Sequence, residues 1–159
     1  MKITKRGGAK MRLDAGEPML LQSMLEELHV VVAEADVAEV PGVPDAVAER
    51  LYPAAYEDGT AAAEYRELTE RGLRSERLER IELCAAQLAD ESLVVDVSGD
   101  AGDRWIRVLN DLRLVLGTKL GVTEDWDHAI DPSDPEQMPQ AAYIWLTAVQ
   151  DSLVRVLMG

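Results

Sequence analysis

The stretch D-R-W-I-R-V-L-N-D-L-R-L-V-L-G-T-K-L-G-V, Asp103 to Val122, decides how the rest of the chain is read. Trp105, Leu109, Leu112, Leu116 and Leu120 recur at steps of three and four residues, which stacks them on one face of a helix. Gly121 follows the last of them, where helices commonly end in the left-handed conformation that glycine tolerates. Three polar residues stand beside this seam: Asn110, Asp111 and Arg113. Asp111 can pair with Arg107 one turn earlier, and Arg113 lies one turn after Asn110, so those two can face one partner element. Held by carboxylates of another helix, Arg113 would be a structural clamp; left accessible, it would be a binding residue.

Outward toward the C-terminus, Thr123 to Pro139 is irregular. It is rich in acids (Glu124, Asp125, Asp127, Asp131, Asp134, Glu136) and also carries Trp126 and His128. Its spacing does not match a calcium loop, which needs a central Gly and a terminal Glu, so no metal is assigned. Trp126 is expected to pin the loop to the body. Gln140 to Met158 then reads as the last helix, with Ala142, Leu146, Val149, Leu153 and Val156 on one face.

Toward the N-terminus, Leu93 to Val97 is short and β-branched, hence a strand, and Ser98-Gly99-Asp100 is the turn into the central helix. A long helical pattern runs from a Thr60 cap to Leu88, with Gly72 inside it as either a kink or a close backbone approach. Its alternating charges read as a solvated face or a charged docking surface. Before it, Val40-Pro41-Gly42-Val43-Pro44 is a breaker cluster. Asp45 can cap a short helix through Leu51 that Pro53 ends, with Tyr52 and Tyr56 half-buried, and Glu57 to Thr60 turns into the long helix. Leu21, Met24, Leu25, Leu28, Val31, Val32 and Ala35 give a first main helix, entered through the capping box Asp14-Ala-Gly-Glu17, with His29 at its boundary. Lys2 to Arg6 and Ala9 to Leu13 flank Gly7-Gly8 and form a hairpin, to which Leu93 to Val97 can pair.

The totals agree with a packed domain. The chain has 159 residues, 47% hydrophobic and 29% charged, with 4% aromatics and no Phe, so its core is built from short aliphatic side chains that suit helix packing. A net charge of −14 argues against direct nucleic-acid binding, which depends on basic residues meeting phosphates. The basic N-terminus (Lys2, Lys5, Arg6, Lys10, Arg12) reads as hairpin surface or a short phosphate-binding arm. Neither a signal peptide nor a membrane span is visible, which makes the cytoplasm the expected location. No nucleophile elbow, phosphate loop or zinc spacing is present, and no cofactor is assigned. Cys84 is the one thiol, on or beside the buried stripe of the long helix. It is a small hydrophobe or, if exposed and acidified by Arg77 and Arg80, a redox thiol.

Leu109 to Val122, preceded by Trp105, resembles the signature of an actinobacterial AosR-like family of about this length, formerly labelled a domain of unknown function. Tyr143 to Leu157 is similar to that family's final helix, and Glu64 to Arg74 to its middle segment. The resemblance implies a non-enzymatic regulator of transcription under oxidative stress, with RNA polymerase or a sigma factor as partner. Regulation by an intramolecular disulfide would need a second thiol near Cys84, and the position four residues later is Leu88. A mixed disulfide, an intermolecular bridge or a sulfenic acid remains open to Cys84 alone. The alternatives from other classes are a metal-dependent or carboxylate-based enzyme using the acidic loop 124–136, and a helical adaptor that homodimerises. The expected fold is mainly α: a single-domain helical bundle with a small N-terminal β-hairpin (2–13), one further short strand and a helical body (15–158).

Overall fold

A computed structural model describes residues 1–5, 7–34, 50, 63–89, 92–126, 129–131 and 133–159, with side chains of 63–70 excepted. The expected short helix from Asp45, Tyr52, Tyr56, the Thr60 cap, Asp127 and His128 lie outside the described residues. Among the described residues the protein is mainly helical, with four helices and a small three-stranded antiparallel sheet. In chain order these are β1 (Lys2–Thr4), β2 (Lys10–Arg12), α1 (Glu17–Glu34), α2 (Ala63–Leu88), β3 (Val94–Asp96), α3 (Asp100–Leu120) and α4 (Met138–Met158). A 3-10 turn, Pro135–Gln137, leads into α4.

The central helix, α3, begins at Asp100, three residues before the expected start. Gly99 takes a positive φ of 52°, which lets the chain turn sharply out of β3. Asp100 and Asp103 in the first turn and Lys119 in the last suit the helix dipole. At the other end Gly121 is left-handed at φ 66°. The Val122 N–H reaches Gly117 O at 2.8 Å and the Gly121 N–H reaches Thr118 O at 3.2 Å, a Schellman closure that satisfies two terminal carbonyls.

Packing follows the seam. Trp105, Val108 and Leu109 are fully buried, joined by Leu21, Leu25 and Leu28 of α1, Ile81 and Leu88 of α2, and Leu146, Val149 and Leu153 of α4. One core cluster unites all of these with Met11 and Leu13 of the hairpin region and Val95 of β3. α3 lies most extensively against α4, and α1 against α2. The Trp105 indole N–H donates to Gln87 Oε1 at 2.8 Å, and the Gln87 amide donates onward to Asp96 O at 2.9 Å.

The sheet has the order β1-β2-β3, with Ile3, Met11 and Val95 in register. Gly7 and Gly8 make the hairpin turn at φ 77° and 104°. On the far side of β3, Ser92 Oγ donates to Val94 O at 2.9 Å and accepts the Val94 N–H at 3.2 Å. α1 starts at Glu17. Glu17 Oε2 accepts the Asp14 N–H at 2.7 Å, one half of a capping box, while the Glu17 N–H is taken by Asp14 O at 3.1 Å. The other carboxylate oxygen of Glu17 accepts the Trp145 indole N–H at 2.9 Å, tying α1 to α4.

Gly72 does not mark a close approach: a Cβ there would meet nothing within 4 Å. The close approach is at Gly102, where a Cβ would stand 2.5 Å from Val97 O and 2.5 Å from a Leu157 methyl. Gly102→Ala is therefore expected to cost about 1–3 kcal/mol, because a backbone oxygen cannot step aside. Gly72→Ala is expected to gain up to about 1 kcal/mol from helix propensity. Thermal unfolding of the two variants beside the parent checks both signs.

Candidate functional site

The three polar residues beside the α3 seam turn out to serve different neighbours. Asp111 is buried and faces α2, where its carboxylate meets Arg77 Nε at 3.4 Å. The expected pairing with Arg107 gives way to this one, because Asp111 points inward while Arg107 sits on the exposed side of α3. Burial raises the Asp111 carboxyl above its ordinary range, and Arg77, Arg80 and Arg107 pull it back only in part.

Arg113 faces α4 instead. Its Nε donates to Thr147 Oγ1 at 3.0 Å, another guanidinium N–H donates to Gln150 Oε1, and its centre lies 5.7 Å from the Tyr143 ring centroid. The acceptors are a hydroxyl and an amide, not carboxylates, so the guanidinium keeps its charge beside an aromatic face. Gln150 in turn donates to Ile106 O at 3.2 Å, returning the link to α3. Trp126 meets Tyr143 edge to face, centroids 5.6 Å apart and planes at 88°, which docks the loop after α3 onto α4. Asn110 is exposed, and with Arg113, Gly117 and Tyr143 it lines a small cleft of about 290 Å³. Asn110 and Arg113 thus share a cleft, while Asp111 belongs to another interface.

Gln150 and Thr147 complete the Arg113 contacts and were not singled out from sequence; Arg77 was, but as a neighbour of Cys84 and not as the partner of Asp111. Gln150 alone carried a signal: it is a polar residue inside the buried stripe Leu146, Val149, Leu153.

Cys84 is fully buried in the core. Desolvation pushes its thiol up to about 12, against the weaker pull of Arg104 and Arg80. The arginine that acts beside Arg80 comes from α3; Arg77 is engaged with Asp111. A thiol so placed is neutral near pH 7 and shielded from oxidants.

In the acidic loop, Asp131 accepts from Ser133 N at 2.9 Å and Ser133 Oγ at 2.6 Å, which holds its carboxyl below the usual range. Asp134 caps the 3-10 turn through the Glu136 N–H at 2.9 Å. Among the described residues no group of three or more His, Cys, Asp or Glu is placed to hold a metal ion, and no helix is long and apolar enough to cross a membrane.

Two outcomes follow from the buried groups. Cys84 is expected to resist iodoacetamide in the folded protein at about pH 8 and to react fully in guanidinium, read by intact mass. For Asp111 the raised folded-state pKa means that the folded protein takes up this proton more readily than the unfolded chain. Its contribution to stability is therefore complete below the unfolded carboxylate pKa and is lost as pH rises. Relative to Asp111→Asn, the parent should gain melting temperature between about pH 7 and about pH 4. A difference that is flat across this window, or of opposite sign, refutes the assignment.

A family described as "Domain of unknown function (DUF2017)" matches residues 1–157. Curated relatives named "Oxidative stress regulator AosR", from Mycobacterium tuberculosis (strain ATCC 25618 / H37Rv) and Mycobacterium bovis, are 32% identical over 146 residues. The match covers 77% of this chain and 62% of theirs, so the chain spans under two thirds of the length of these relatives. No solved structure matches. The near-complete match from residue 1 to residue 157 shows that this chain belongs to the DUF2017 family.

Proposed function

We propose that this protein is a non-enzymatic regulator of the oxidative-stress response that acts through contacts with the transcription machinery. The observation that carries the reading is the 32% identity to regulators named for oxidative stress over 77% of the chain. The net charge of −14 supports protein contacts over direct DNA contact, since DNA binding gains most of its affinity from cationic side chains. RNA polymerase or a sigma factor is the partner class. The candidate polar sites fit a scaffold: Asp111 and Arg113 are consumed in holding α3 to α2 and α4.

Cys84 is not the sensor in this reading. With one cysteine in the chain and its thiol sealed in the core, the oxidant signal reaches the protein through its partner or through its amount.

Tagged protein used as bait in an actinobacterial lysate, before and after peroxide, is expected to recover a component of the transcription machinery. Cys84→Ala is expected to recover it equally. Recovery of none under either condition counts against the reading. In a gel shift at about 150 mM salt the purified protein should leave promoter DNA unshifted.

A further inference from the structure

α1 and α2 run side by side, and on their outer surface they leave a groove that the core does not fill. At one end it is bounded by Met19, Gln22 and Ser23 of α1 and by Leu88, Ala89 and Leu93, and it encloses about 710 Å³. It continues past Glu26 to Val30 of α1 and to Glu82 and Ala85 of α2, enclosing about 320 Å³ more. From Met19 to Val30 the groove extends about 16 Å at the helical rise, the length of three turns of a docked helix. Its apolar margins are open to solvent: Met19 is 78% exposed, Val30 50% and Leu93 47%. Large apolar side chains lined up in this way along a concavity mark an interaction surface, unlike scattered exposed ones.

Charge selects the occupant. Among the described residues the carboxylates lining the groove are Glu26, which borders both parts, and Glu82, which borders the second, and no lysine or arginine lines it. Glu82 meets His29 Nε2 at 3.2 Å, so this carboxylate is held at the rim. A second copy of the chain would bring its own acidic rim against this one, and an anionic lipid surface would be repelled in the same way. An amphipathic helix with apolar residues at helical spacing and lysine or arginine on its flanks meets both conditions. Its ridge fits between α1 and α2, and its cations reach Glu26 and Glu82.

We infer that the α1–α2 groove is the docking site for a basic amphipathic helix of a partner protein. This rests on the proposed regulatory reading insofar as the partner is a protein of the transcription machinery. The seam helix α3 takes no direct part; it backs the two helices that form the groove.

The test uses fluorescein-labelled model peptides of about 18 residues with leucine at helical spacing. One peptide carries lysine on its flanks and the other glutamate. Anisotropy is expected to show saturable binding of the lysine peptide alone. Met19→Asp with Val30→Asp, both at exposed positions, should weaken it about tenfold, as should Glu26→Lys with Glu82→Lys. Asp151→Lys, on the exposed side of α4, should leave it unchanged, and circular dichroism confirms that each variant folds. Equal binding by all variants, or by both peptides, overturns the inference. So does sedimentation showing a dimer of the parent that Met19→Asp with Val30→Asp dissolves, because the occupant is then a second copy.

The lysate bait experiment separates the two proposals. If the parent and the groove variants recover the transcription component equally, the groove is wrong and the regulatory reading stands. If the parent binds the lysine peptide through the groove but recovers no such component, the reverse holds.

Discussion

The indole N–H of Trp105 sets the condition on which the rest depends. Trp105 is the largest fully buried side chain, and its one donor would cost about 1–3 kcal/mol if left unsatisfied in the core. Gln87 supplies the acceptor and at once uses its own amide on the backbone of β3. One glutamine therefore fixes the height of α2 against α3 and the position of the strand between them. Once these are placed, Gly102 allows α3 to leave β3 in direct contact with Val97 and Leu157, which sets where α4 lies.

The polar pairs around this frame act as registers more than as glue. The Asp111–Arg77 pair removes two charges from water, so its attraction is offset by desolvation, as the upward shift of Asp111 records. Arg113 forgoes a carboxylate and takes a hydroxyl, an amide and a ring, each with its own direction. Sliding α4 by one turn would break all three contacts, whereas the apolar seam would tolerate the slip. The last helix is thus held in one place by polar contacts and held down by leucines.

Much of this was legible in the sequence because it depends on local rules. The 3.6-residue period of Trp105 to Leu120, the glycine pair of the hairpin and the cap at Gly121 each have a short-range cause and were read to within a few residues. The partners of Asp111 and Arg113 were not, since Arg77 is 34 positions away and Gln150 is 37 positions away from them respectively. Periodicity places a residue on a face but does not say which helix covers that face. Arg107 was favoured for Asp111 because it is near in sequence, and burial overruled nearness. Gly72 was weighed as a kink or a close approach from its place in a stripe; the close approach at Gly102 lay between the turn read at Ser98 to Asp100 and the helix read from Asp103.

The outer border of β3 carries a consequence for how this protein can meet others. The outward N–H and C=O of Val94 are both taken by Ser92, and the Asp96 carbonyl is taken by Gln87. A foreign strand arriving there finds these three hydrogen-bonding groups occupied, which disfavours fibrillar stacking and strand donation from this side. Recognition on this flank is left to side-chain surfaces, and specificity then rests on shape and charge rather than on the generic backbone ladder that any extended peptide offers.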